Sequence, residues 1–159
     1  MIKIEGSDIK LEDSISVTNG TSLAVKNLFF NIPARRNFLK SDNVELKHII
    51  DEFQRMAIAH HECAMSFFHN DKEIFNLSPS TLKQRIVGIF GNRYNEKLVP
   101  VEEETSLVVV NGFVGKPEFS RKTRGEQFFF VNRRFIKSGY LQHAISLSLI
   151  HISEPTRPY

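Results

Sequence analysis

Gly20-Thr21-Ser22-Leu23-Ala24-Val25-Lys26-Asn27-Leu28-Phe29-Phe30-Asn31-Ile32-Pro33-Ala34-Arg35-Arg36-Asn37-Phe38-Leu39-Lys40 passes, within one short stretch, from an apolar strand pattern into a basic helix start. Leu23 and Val25, followed by Leu28 to Phe30, predict a strand over residues 21–30. Pro33 suits the first turn of a helix, where its missing N–H costs no hydrogen bond. Arg35, Arg36 and Lys40 then set cations within about two turns of a ~3.6-residue period. A strand-to-helix junction with a solvated basic face accounts for this spacing by itself.

Upstream, residues 2–10 and 14–18 alternate apolar and polar, predicting two short strands before an Asn19-Gly20 turn. With no helix of their own to pack on, these strands are expected to be the end of a larger sheet. Downstream, Asp42 with Glu45 predicts a capping box and a long helix. Leu46, Ile49, Ile50, Phe53, Met56, Ala57 and His60 form its apolar stripe, with Lys47, His48, Asp51, Glu52 and Arg55 on the other faces. Cys63 to His69 and Glu73 to Leu77 read as strands of a hairpin turning at Asn70-Asp71-Lys72. A second helix follows Ser78-Pro79-Ser80 and stops at Gly91. Strands are predicted over 97–103, 105–114 and 127–131, with an exposed basic loop over 115–125 between the last two. Asn132-Arg133-Arg134 is a turn or strand edge, and Tyr140 to about Leu149 a helix. This order predicts an α/β (α+β) sandwich in which one mixed sheet is covered by helices. No internal repeat is visible.

The composition is that of a soluble globular chain: 159 residues, 41% hydrophobic and 25% charged. No apolar run approaches the ~20 residues that span a bilayer, and MIKIEGSDIK is not a secretory leader. The single cysteine, Cys63, excludes an internal disulfide and fits a reducing interior, so a cytoplasmic location is expected. A net charge of +3 permits a polyanionic partner without requiring one. Its distribution is more telling: cations cluster at Arg35 to Lys40, Arg121 to Arg124 and Arg133 to Lys137. His60, His61, Cys63 and His69 resemble a ligand set, but their elements do not converge three or four donors, so no metal site is expected. No Ser/His/Asp or Cys/His grouping supports nucleophilic catalysis.

The quoted stretch, as GTxxxVxxLFxNxPARRxFLK, resembles the junction between the ATPase domain and the second domain in the MutL family of DNA mismatch repair proteins. Gln127-Phe128-Phe129-Phe130-Val131-Asn132-Arg133-Arg134-Phe135-Ile136, with Leu141-Gln142-His143-Ala144-Ile145, resembles that family's QxxFVNxRxVxxxxLxxAI segment. The resemblance covers roughly residues 1–145. It implies residues 1–32 as the last strands of a GHKL-type ATPase domain and 33–149 as a C-terminally truncated transducer domain. That domain is a two-layer sandwich with a left-handed β-α-β crossover, against the usual right-handed preference. Residues 150–159 depart from the family pattern and are expected to be an atypical, non-native tail from a truncated or frame-shifted end.

The resemblance also implies a function. Family members are bacterial, cytoplasmic and nucleoid-associated during repair; they dimerise and are weak ATPases using ATP and Mg²⁺. They bind double- and single-stranded DNA and signal from the mismatch-recognition protein MutS. The family's catalytic glutamate, its metal-binding asparagine and its glycine-rich lid are not among these residues, so the chain by itself is expected to be no enzyme. Gly20 and Thr21 match the last nucleotide-proximal motif. Arg134 matches an arginine on the family's DNA-binding surface, with Arg133 beside it; Lys40 and Arg55 match further basic positions, and Arg36 is adjacent. Asn37 stands where the family often has lysine. Cations of this kind contact phosphates without reading bases. Composition alone favours a solvated turn and the resemblance reverses that preference; a stand-alone RNA-binding module of the same superfamily, as in ribosomal proteins, is the alternative reading.

Overall fold

The computed structural model describes residues 1–119 and 126–153. The chain forms two compact units that divide in sequence between Lys47 and His48.

In the first unit, β1 (Ile2–Glu5) and β2 (Asp8–Glu12) pair antiparallel, so the single strand predicted over 2–10 is a hairpin. Gly6, at φ +67°, makes the reversal that an L side chain resists. Residues 14–18 and 21–30, both predicted strands, form none. A strand needs a neighbour for its N–H and C=O groups, and no described strand pairs with either segment. The second segment turns instead: Asn27 and Phe29 have φ of 52° and 63°, closing Phe30 N–H to the Asn27 carbonyl at 3.0 Å. Helix α1 (Pro33–Asn37) begins with proline in its first turn, as predicted. Helix α2 (Asp42–Ala59) crosses the division between the units. Its cap differs from the predicted Asp42–Glu45 box. The Ser41 carbonyl accepts from Val44 and Glu45 N–H, and the Glu45 carboxylate reaches back to Lys40 N–H at 2.9 Å.

The second unit holds the core. Ala57 and Ile58 of α2, Leu77 of β4 (Lys72–Leu77) and Ile89 of α3 (Leu82–Phe90) are buried together, ringed by Phe53, Phe75, Phe90, Phe128 and Phe130. The buried face of α2 is centred on Ala57 and Ile58, whereas Ile49 and Met56 of the predicted stripe are more than half exposed. This rotation leaves Asp51, Gln54 and Arg55 half-buried. Strand β3 (Met65–His69) pairs with β4 through Asn70 and Asp71, both at positive φ as in a type I′ hairpin turn. Helix α3 carries a full capping box between Thr81 and Gln84 and ends at Gly91, where φ is +99°. Gly88 faces β4, where a Cβ would meet the Leu77 Cδ2 methyl at 3.4 Å, an ordinary contact.

Arg85, 1% exposed, ties the loops around α3 together. Its Nη2 donates to the carbonyls of His61 (2.8 Å), Cys63 (2.6 Å) and Ser78 (3.1 Å). Its charge is thus met by backbone dipoles, at the cost of burying Nε and Nη1 without partners among the described residues.

Strands β5 (Leu98–Glu104) and β6 (Val109–Gly115) form a third hairpin, and β7 (Phe129–Val131) with β8 (Arg134–Ile136) a fourth. Helix α4 (Gly139–Ser153) runs past the end predicted near Leu149. The basic loop around Arg121 to Arg124, and residues 154–159 of the expected tail, lie outside the described residues. The class is α+β, as expected, but among the described residues the mixed sheet is present as four two-stranded sheets. Each hairpin closes a short loop, whereas pairing between hairpins would close long ones at greater entropic cost. The order β4-α3-β5 that the implied crossover uses is present, with no hydrogen-bonded pairing between β4 and β5. Among the described residues no helix is long and apolar enough to cross a membrane.

Candidate nucleic-acid interface

The β7–β8 hairpin is built by its turn. Asn132 and Arg133 have φ of 48° and 66°, the doubly left-handed turn that matches strand twist. Arg134, paired across the hairpin with Val131, is exposed and makes no ion pair with a described residue. Arg133 differs. Its Nη1 binds the Glu62 carboxylate, which also lies 3.8 Å from His60 Nδ1. That carboxyl is held below the ordinary glutamate range, first by a backbone hydrogen bond at its own position and further by the charge and hydrogen bond of Arg133, against an opposing push from desolvation. Among the described residues, one of the two adjacent arginines is therefore unpaired and the other partly neutralised.

Arg55 is neither. It pairs with Glu52 one turn earlier in α2, and its guanidinium lies 4.3 Å over the Phe135 ring. Its side chain is 19% exposed. Strand alternation sends Phe135 toward Arg55 and Arg134 to the opposite face of the ribbon. A cleft of about 340 Å³ opens beside the stacked pair, walled by Asp51, Gln54, Arg55, Gln127, Phe135 and Lys137, among others. Arg55 Nε and Gln127 Oε1 are buried there without partners among the described residues. Sequence reading singled out Arg55 and missed the cleft. Gln54 and Asp51 are polar, and periodicity assigns polar residues to solvent.

Arg36 and Lys40 are exposed cations of the first unit, in α1 and in the link to α2. Gly20 and Thr21 lie in an exposed segment with no regular structure. One hydroxyl on such a segment does not suffice to hold a nucleotide with its metal. Among the described residues no group of three or more His, Cys, Asp or Glu could hold a metal ion. His61 instead spends Nδ1 on the Ser80 carbonyl at 2.9 Å, and Cys63 is exposed.

A helix-flanked set of hairpins ending in a Val-Asn-Arg-Arg turn belongs to a known class of α+β proteins. The fold matches a solved structure described as the Aquifex aeolicus MutL ATPase domain complexed with ADP. The TM-score is 0.62 at 26% identity, over 77% of this chain and 46% of that one. The profile of the family described as DNA mismatch repair protein, C-terminal domain, matches residues 86–154, which include part of the expected non-native tail. The DNA mismatch repair protein MutL of Flavobacterium psychrophilum is 63% identical over 144 residues, covering 91% of this chain. Those of Christiangramia forsetii and Phocaeicola vulgatus are 60% and 45% identical over 92% and 91% of it. The chain belongs to the MutL family of DNA mismatch repair proteins. It spans about a quarter of the length of these relatives, 24% for the first two and 23% for the third.

Proposed function

We propose that this chain is the DNA-facing part of a MutL-type protein, comprising the end of its ATPase domain (1–32) and its transducer domain (33–149), and that it serves DNA mismatch repair by binding DNA through phosphate contacts. The observation that carries this reading is Arg134: an exposed guanidinium, with no ion pair among the described residues, next to a two-residue turn. A cation so placed reaches a phosphate without first breaking an ion pair to a described residue, and it reads no base. Arg36 and Lys40 are offered as further phosphate contacts, with Arg133 a weaker one because Glu62 already holds it. The whole protein, on this reading, is a homodimer that takes ATP and Mg²⁺ and answers to MutS in the bacterial cytoplasm. Gly20 and Thr21 would then face the nucleotide, completed by residues not in this chain. The chain alone turns over no ATP.

The test is a titration of wild type and Arg134→Glu against duplex DNA and hairpin RNA at two salt concentrations. Log K is expected to fall by about 0.9 per neutralised phosphate for each log unit of salt. Arg134→Glu is expected to weaken every duplex alike. Unchanged duplex affinity in the mutant removes Arg134 from the site, and preference for hairpin RNA removes the repair reading of this surface.

A further inference from the structure

The cleft beside Arg55 has dimensions and chemistry that a phosphate contact does not use. Its volume of about 340 Å³ lies at the small end of ligand sites, enough for one nucleotide and far too little for a duplex. Phe135 supports one face of the Arg55 guanidinium and Arg55 itself walls the cleft, so a flat cation plane is held in place beside an open space. Three carboxamides, Gln54, Gln127 and Gln142, stand on the walls, and the Gln127 oxygen has no partner among the described residues. The charges decide between ligands. Arg55 and Lys137 are opposed by Asp51 in the wall, and Glu52 already shares Arg55. These two cations and two carboxylates balance, which suits an uncharged base with Lys137 toward one phosphodiester and falls well short of what a free triphosphate needs.

We infer that this cleft receives one unstacked base of a DNA single strand. The base stacks on the guanidinium plane of Arg55, its edge meets the amides of Gln54 and Gln127, and Lys137 takes the adjoining phosphate. Guanidinium planes stack bases as aromatic rings do, and amides pair with base edges without demanding one base. The inference rests on the DNA-binding reading above, and it assigns to Arg55 a base contact in place of the phosphate contact expected from sequence. Because Arg134 leaves the opposite face of the ribbon, the two contacts are separable by mutation.

The experiment measures fluorescence anisotropy of the full chain with a short oligothymidine, the same strand with its bases replaced by abasic sites, and a duplex of equal length. Wild type is expected to bind the base-bearing strand about fivefold or more tightly than the abasic one, the size of a single base stack. Gln127→Leu and Gln54→Ala are each expected to lose most of that difference and to leave duplex affinity unchanged. Gln54 is half-buried in the cleft wall and is not part of the Ala57–Ile58 core, so its variant guards against a folding defect at Gln127. Arg134→Glu is expected to weaken binding of all three probes while keeping the base-dependent difference. Equal binding of base-bearing and abasic strands by wild type overturns the inference while leaving duplex binding intact. So does an equal loss on duplex and single strand in both glutamine variants. No binding to any probe would instead sink the DNA-binding reading itself.

Discussion

Arg134 presents to solvent a guanidinium with no ion pair among the described residues, while Arg133 next to it is held by Glu62. Removing the carboxylate should return a cation to the surface. Glu62→Gln is expected to strengthen duplex binding and to steepen its salt slope by up to about 0.9, one further phosphate. The pair also sets a pH dependence. The folded Glu62 carboxyl titrates below its ordinary range, so the stabilisation is present above the unfolded pKa and is lost as pH falls through the folded one. The stability advantage of wild type over Glu62→Gln should therefore shrink below the ordinary glutamate range, measured by denaturant melts at stepped pH. A constant advantage down to the acid limit would show that the pair contributes nothing. Arg85 belongs to the same scale. Arg85→Met removes the shared donor of the His61, Cys63 and Ser78 carbonyls; His61 keeps Ser80 N–H at 3.0 Å, and the other two lose a bond whose absence costs roughly 1–3 kcal/mol each. A loss of about 2 kcal/mol or more in chemical denaturation is expected; a loss under about 1 kcal/mol would mean the loops are held by other contacts. The signs in the sequence that mark Arg85 are few: it lies between Gln84 and Ile86 on an otherwise amphipathic helix, where a charged residue reads as solvated.

Helix α3 is the best-defined element, and its signals are local. Thr81, Gln84 and Gly91 fix both ends, and Leu82, Ile86 and Ile89 fix the inner face. Gly88 breaks the pattern, because glycine inside a helix costs about 1 kcal/mol relative to alanine. A Cβ there only touches the Leu77 methyl at 3.4 Å, a side-chain contact that can give. Gly88→Ala is thus expected to raise stability by about 0.5–1 kcal/mol. Gly91→Ala should lower it, since φ of +99° suits no L side chain. Thermal melts of both variants check the signs, and destabilisation by Gly88→Ala would mean that α3 packs more tightly on β4 than this spacing allows. Helix α2 teaches the converse. Its length was legible from periodicity, but its rotation was not. The hydrophobic stripe offers Ile49 and Met56 to the core as readily as Ile58, and only contact with β4 and α3 chooses among them.

At the scale of the whole molecule the two units differ sharply in burial. Every residue of the buried core lies in the second unit, and most of residues 1–44 are exposed. Amide exchange follows local opening free energy. Amides of residues 14–30 are expected to exchange within the mixing time, while those of α3 and the β3–β4 hairpin are the slowest. Protection over 21–30 comparable to α3 would restore the strand expected there from sequence. Leu23 and Val25, at 87% and 71% exposure, leave an apolar surface on that segment. Deleting residues 1–18 is expected to preserve the slow-exchanging core, and collapse of that core would move the proposed boundary away from Ile32.

By itself the sequence determined the features that depend on near neighbours. Hairpin turns at Asn70-Asp71 and Asn132-Arg133, the start of α1 at Pro33 and the glycine stop at Gly91 follow from backbone sterics within a few residues. The family motifs were equally legible, since a motif is a linear string. Tertiary structure alone decided what depends on distant groups. It buried Arg85 under three carbonyls, laid Arg55 over Phe135 with Gln54 in the same cleft wall, and gave Arg133 to Glu62 while leaving Arg134 without an ion pair among the described residues. The reason is physical: periodicity assigns a side chain to a face by its polarity, whereas the charge it finally carries to a ligand is set by whichever partner folding brings within a few ångströms.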